Sequence, residues 1–209
     1  MILYQTSRKL KNLEIIYSKQ IKNFSNYLSS LSKIEIATLG PKGTSSEATG
    51  IYLVSLINNM NTRCCVYPSY EKAMESVISG KSDLLLIANA YNKIDQVYMC
   101  PKLKLLTAFE YQTPYYGLAK KIGYKLPDQG TLKIATHHAP QSLIPHFIDN
   151  KKIDYEVIFV ESTSAAALST QQGNFDLCVT NENSVQMYGL EFISRTLPII
   201  MLWSVFGRA

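Results

Sequence analysis

The chain has 209 residues, 46% of them apolar and 18% charged, with a formal net charge of +5 at pH 7. That balance suits one soluble globular domain, or two small lobes on one polypeptide, with ample core. No run approaches the roughly 18 apolar residues of a membrane span. Met1 to Tyr4 lack the apolar core of an export signal. Lys and Arg are scattered, apart from Lys9, Lys11, Lys19 and Lys22. No membrane and no nucleic-acid partner is therefore expected, and the cytoplasm is the expected compartment. Cys64, Cys65, Cys100 and Cys178 form no C-x-x-C pair, so buried free thiols are expected and no metal or redox site.

Residues 1–33 are basic, with Leu10, Leu13, Ile16, Tyr17, Ile21, Phe24 and Leu28 near helical spacing. One or two helices packed outside the main fold are expected; a membrane-surface helix is the other reading of that stripe. Ile34, Ile36 and Leu39 then make a short apolar run, read as a buried strand. Gly40 and Gly43 flank Pro41-Lys42, where the backbone turns sharply. Thr44, Ser45 and Ser46 supply N-cap hydroxyls, and Glu47 stands at the capping-box offset from Thr44. A strand feeding a glycine turn into a helix N-terminus gathers unpaired N–H donors at a positive dipole end. Such a site suits a carboxylate or a phosphate, although an ordinary well-capped connection has the same pattern.

From here strands and helices alternate. A strand is expected over 64–67, a helix over 71–79 ending at Gly80, and a continuous apolar strand over 83–89. Residues 90–102 read as a loop carrying Tyr91 and Tyr98, followed by extended segments over 104–109 and 114–119. A strand over 132–136 leads into His137, His138, Ala139, Pro140, Gln141 and a helix through Phe147. A strand over 155–160 leads into Ser162, Thr163, Ser164 and a helix over 165–172, and 176–180 is again an apolar strand. Gly80-x-x-Asp83-Leu recurs as Gly173-x-x-Asp176-Leu, each before an apolar strand. The pattern predicts an α/β fold of two similar lobes, with the loops at 40–46, 136–142 and 161–164 converging on one cleft at strand carboxyl ends. That layout matches a substrate with two separated carboxylates.

Four segments carry a family resemblance: Gly40-Pro-Lys-Gly-Thr-Ser-Ser-Glu47, Pro140-Gln141-x-Leu143, Ser162-Thr-Ser-Ala-Ala-Ala167 and Tyr188-Gly-Leu190. In this order, over about 34–206, they resemble the prephenate dehydratase domain. The resemblance implies a two-lobed fold like type-II periplasmic binding proteins. It gives a first lobe of about 34–110 plus 184–206, a second of about 111–183, and an N-terminal helical extension over 1–33. The departures matter more. Where dehydratases carry Thr-Arg-Phe, this chain has Met201-Leu202-Trp203-Ser204-Val205-Phe206, and Asn89 stands without the neighbouring glutamate and serine. No regulatory domain is expected after Ala209. With Ala88-Asn-Ala-Tyr91 and Ala135-Thr-His-His-Ala-Pro140, the set resembles the non-aromatising prephenate decarboxylases of secondary metabolism, found in bacilysin-like and aeruginosin-like pathways.

That resemblance implies a cofactor-independent lyase releasing CO2 from prephenate while the ring hydroxyl stays. His138 is the preferred proton donor, with His137 and Tyr91 as the other candidates. His146, within a helix, is read as structural. Thr44, Ser45, Ser46, Ser162, Thr163 and Ser164 are expected to hold a carboxylate, and Asn89 and Gln141 to position the substrate. Met201, Leu202 and Trp203 are expected to keep acids away from the hydroxyl. Lys42 adds charge at the mouth or is simply solvated. The other functions consistent with the residues are a dehydratase forming phenylpyruvate and a non-catalytic small-anion-binding module. Dehydratase relatives are commonly dimers, so a homodimer is an expectation carried over from them.

Overall fold

The structure, a computed structural model, describes residues 10–57, 59–148 and 154–209. Met1 to Tyr4 and Lys9, on which part of the reading of the N-terminal extension rests, lie outside the described residues. Two five-stranded mixed sheets organise the chain.

The first sheet combines β1 (Ile34–Leu39), β2 (Thr62–Tyr67), β3 (Leu84–Ala88), β4 (Leu103–Gln112) and β10 (Ile200–Arg208), in the order β2-β1-β3-β10-β4. β1 runs parallel to β2 and β3, whereas β10 is antiparallel to β3 and β4. β3 is buried along its whole length, as its unbroken apolar run requires when both faces are covered. On one face Ile36, Leu84, Leu86 and Trp203 pack against α2 (Ser45–Leu56) and the C-terminal part of α1 (Lys11–Ser29). On the other, Leu85, Ile87 and Phe206 pack against α3 (Tyr70–Ile78).

The second sheet combines β5 (Tyr116–Lys121), β6 (Leu132–Thr136), β7 (Tyr155–Phe159), β8 (Leu177–Asn181) and β9 (Leu190–Phe192), in the order β7-β6-β8-β5-β9. Its faces are covered by α5 (Ile144–Ile148) on one side and by α6 (Thr163–Gln171) and α7 (Glu182–Tyr188) on the other. The two orders correspond strand for strand, with β10 entering the first sheet and β5 the second as the antiparallel member. The repeated Gly-x-x-Asp motif has one job in both. Asp83 Oδ2 accepts from Glu35 N at 2.9 Å, and Asp176 Oδ2 accepts from Lys133 N at 2.8 Å. Each carboxylate ties the start of the middle strand, β3 or β8, to its parallel neighbour, β1 or β6.

Three local expectations differ. The segment expected as a loop over 90–102 contains α4 (Ile94–Tyr98), a short helix whose Val97 enters the core. The segment expected as a loop over 136–142 contains a 3-10 turn, Ala139–Leu143, which leads directly into α5. α7 and β9 belong to the second sheet, so the chain returns to the first only at Ile200, later than residue 184. Cys178 is buried, while Cys64, Cys65 and Cys100 are half-buried, all as free thiols. Among the described residues, no helix is long and apolar enough to cross a membrane.

Candidate active site

The chain passes between lobes twice, and both passages are held together. Thr113 N donates to Ile199 O at 2.9 Å, and Tyr116 N to Leu197 O at 2.8 Å. On the far side of the cleft the turn before α2 meets the second lobe. Ser164 Oγ donates to Lys42 O at 2.8 Å, and Ser184 Oγ to Gly43 O at 3.0 Å. Between hinge and latch lies a cavity of about 260 Å³.

Two helix N-termini open into it. Thr44 caps α2, its hydroxyl accepting from Glu47 N at 3.1 Å, and Glu47 Oε2 reaches back to Gly43 N at 2.7 Å. Ser162 caps α6 by accepting from Ala165 N at 3.0 Å. Thr44, Ser45, Ser46, Ser162 and Thr163 all line the cavity. The hydroxyls of Ser45, Ser46 and Thr163 meet two buried tyrosines. Ser45 Oγ lies 2.8 Å from Tyr116 OH, which is 3.4 Å from Thr163 Oγ1; Ser46 Oγ lies 2.8 Å from Tyr70 OH. Tyr70 also accepts from Ala88 N at 3.2 Å, and burial pushes its phenol above the ordinary value. The opposite wall is apolar: Leu39, Ala88, Ile199, Met201 and Trp203. Among the described residues, the lining holds no Asp, Glu, Lys or Arg. Helix dipoles and neutral hydroxyls thus supply the attraction for an anion.

Of the three candidate proton donors, His137 and Tyr91 line the cavity and His138 does not. The His138 ring stacks on Phe159 at 3.9 Å between centroids and borders a separate depression together with Gln141. His137 is shielded, and burial first, then His138, lowers its pKa from 6.5 against the pull of Glu161. Its Nδ1 accepts from Ala139 N at 3.3 Å, which leaves the proton of the neutral ring on Nε2. Tyr91 donates to Glu71 at 2.7 Å; burial and that carboxylate hold its proton more tightly than in a free phenol. Glu71 is correspondingly drawn down to about 2, chiefly by the Tyr91 hydroxyl, with Lys93 also beside it at 3.1 Å. Tyr91 therefore offers the cavity its ring and keeps its proton on the carboxylate side.

The remaining expected residues divide cleanly. Asn89 accepts from Ser204 Oγ at 2.8 Å and does not line the cavity. Ser164 is spent on the latch. Leu202 is 49% exposed on the side of β10 away from Met201 and Trp203, as strand alternation demands. Lys42 is exposed, and His146 contacts Arg195 at 3.4 Å far from the cleft chemistry. Tyr70 and Tyr116 escaped the sequence reading. Tyr70 directly follows a serine cap, which is the one signal that places its hydroxyl near a helix start.

No protein-family model matches the chain. It is 38% identical over 177 residues to a prephenate decarboxylase of Planktothrix agardhii, covering 83% of this chain and 87% of the relative. It is 35% identical over 196 residues to a prephenate decarboxylase of Bacillus subtilis, covering 91% and 94%. Among solved structures, it resembles a prephenate dehydratase of Arthrobacter aurescens in complex with L-Phe, with TM-score 0.65, 14% identity and coverage of 84% of this chain and 61% of that one. A periplasmic VFT2 domain of Bordetella pertussis BvgS follows at TM-score 0.53, 14% identity and coverage of 88% and 84%. The structural likenesses establish the two-lobed fold. With relatives this similar over nearly its whole length, the chain belongs to the prephenate decarboxylase family.

Proposed function

We propose that the protein is an enzyme that decarboxylates prephenate to a dihydro-4-hydroxyphenylpyruvate, retaining the ring hydroxyl, as part of a cytoplasmic secondary-metabolic pathway. The observation that carries this reading is the cavity's division into two capped helix N-termini and an uncharged wall of Met201, Trp203 and Ile199. The pyruvyl carboxylate binds at the hydroxyl-rich end, where backbone N–H groups and the positive ends of α2 and α6 replace its water. The ring carboxylate, held in a site poor in water, loses CO2 as its electron pair enters the ring diene. A proton then closes the ring carbon. His137 is the histidine beside the cavity and the candidate donor, a role that typically contributes about 10²–10⁴-fold. The lining, among the described residues, holds no Asp or Glu to protonate the hydroxyl, so the competing aromatising loss of water has no carboxylic acid to assist it.

Incubating the protein with prephenate under ultraviolet detection tests the reading. The expected product is a non-aromatic keto acid with release of CO2. Phenylpyruvate in its place would identify a dehydratase, and an unchanged spectrum a binding module. For assembly we propose a homodimer, supported by the apolar stripe of α1, which is about half exposed among the described residues.

A further inference from the structure

Three hydroxyls from three elements meet at the polar end of the cavity: Ser45 at the start of α2, Thr163 at the start of α6 and Tyr116 at the start of β5. All three residues line the cavity, and each is 7% exposed. The Tyr116 hydroxyl is the centre of the trio, within reach of Ser45 Oγ at 2.8 Å and of Thr163 Oγ1 at 3.4 Å. Three hydroxyl groups carry three hydrogens, and these two pairings use two of them. Among the described residues the three hydroxyls have no other hydrogen-bond partner, so one hydrogen is always left without an acceptor. Buried donors are rarely left unpaired. A surplus donor on the wall of a binding cavity calls for an acceptor that arrives with the ligand.

We infer that Tyr116 is a substrate-binding residue whose hydroxyl donates a hydrogen bond to the pyruvyl carboxylate, with Ser45 and Thr163 aligned behind it. This rests on the prephenate reading and deepens it, since that end of the cavity had been assigned to the helix starts without Tyr116. Acidity selects the donor. A phenol titrates at about 10 and an aliphatic hydroxyl far higher, so the phenol makes the strongest bond to an anion. Its oxygen can accept from both Ser45 and Thr163, and accepting strengthens its own donation. Position selects it too. Tyr70, the other buried phenol of the lining, pairs with Ser46 and Ala88 N, both in the first lobe. Tyr116 is the phenol that touches both helix starts, one from each lobe. Its backbone is pinned at the hinge, where Tyr116 N donates to Leu197 O at 2.8 Å and Leu197 N donates to Tyr116 O at 2.9 Å. The hydroxyl is therefore held in place before the carboxylate arrives, and little ordering is left to the binding step.

Titration calorimetry with phenylpyruvate and phenylpyruvamide, which differ at the carboxyl group alone, tests the assignment. The native protein should prefer the acid, and Tyr116→Phe should lower that preference roughly tenfold or more, the size of a hydrogen bond to a charged group. The ratio within each protein cancels any general weakening of the fold. With prephenate, KM should rise by a similar factor in Tyr116→Phe while kcat stays within about threefold, because the pyruvyl carboxylate is the same in substrate and transition state. A 3-fluorotyrosine at position 116 keeps the phenol and makes it more acidic, so it should hold or enlarge the preference for the acid. If Tyr116→Phe does not fold, the fluorinated protein decides alone. An unchanged preference in Tyr116→Phe would overturn the assignment, as would a reduced one with 3-fluorotyrosine. A native protein that binds acid and amide equally would instead strike the reading of a carboxylate at this end, and the inference with it.

Discussion

At the scale of single residues, the proposed chemistry turns on a histidine that burial favours in its neutral form. Burial disfavours imidazolium, so His137 titrates below 6.5 and its acid form is gained as pH falls. A folded-state pKa lowered in this way also removes stability as pH drops below 6.5, because the unfolded chain then binds the proton more readily. If His137 donates the proton, kcat rises as pH falls from about 8 towards about 5, levelling below the pKa of the folded state. His137→Gln should lose about 10²-fold or more in kcat together with that pH limb. His138→Ala, stacked on Phe159 outside the cavity, should keep kcat within about threefold, since only indirect positioning is lost. Steady-state kinetics of the two variants across pH checks both; a pH-dependent limb surviving in His137→Gln would end the donor role. Sequence reasoning found the pair but preferred the other member. His137 and His138 are adjacent, and which ring enters the cleft depends on how the Ala139–Leu143 turn is wound, which residue spacing does not encode. Met201, Leu202 and Trp203 were found as a block for the same reason. The parity of β10 follows only from its pairing with β3 and β4.

At the scale of elements, legibility followed the strength of local signals. β3 and β8 were readable because a buried central strand is an unbroken apolar run, and α2 and α6 because a hydroxyl cap precedes each. α4 was not, since Lys93 gives its first turn no side-chain cap and the helix spans one turn or so. α1 is the element with unfinished packing. Phe24, Tyr27 and Leu28 at its C-terminal end lie against the first lobe's core, whereas Leu10, Leu13, Ile16, Tyr17 and Ile21 are each about half exposed. The stripe Leu10, Leu13, Tyr17, Ile21, Phe24 is spaced symmetrically about Tyr17, so an antiparallel copy of the helix places Leu13 opposite Ile21 and Tyr17 opposite itself. The proposed homodimer forms on this stripe. Sedimentation should give twice the monomer mass, and Leu13→Glu with Ile21→Glu should halve it while leaving the circular-dichroism spectrum native, since neither side chain is buried within the monomer. A monomer at high protein concentration would remove the proposal.

At the scale of the molecule, two lobes of matching topology must meet at a fixed separation for a cavity of this size to exist, and the turn at Gly43 sets that separation. Its φ is +85, a region that L-residues avoid. A Cβ there would meet Ser184 Oγ at 3.2 Å, Ser164 Oγ at 3.3 Å and Met187 Cε at 3.4 Å, all on the second lobe. Gly43→Ala therefore combines backbone strain with a wedge between lobes. Gly173 supplies the control: its φ is +84, and a Cβ added to it meets nothing within 4 Å. Strain alone, about 1–2 kcal/mol, should lower the melting temperature by roughly 2–8 °C in both variants. Only Gly43→Ala should also raise KM, because displacing Ser164 and Ser184 spoils their bonds to Lys42 O and Gly43 O and tilts α6, whose cap Ser162 lines the cavity. Calorimetric melting and steady-state kinetics on the pair separate the two effects. Equal KM values in Gly43→Ala and Gly173→Ala would mean that the turn is an ordinary connection and that the lobes are spaced by the hinge at Thr113 and Ile199 instead.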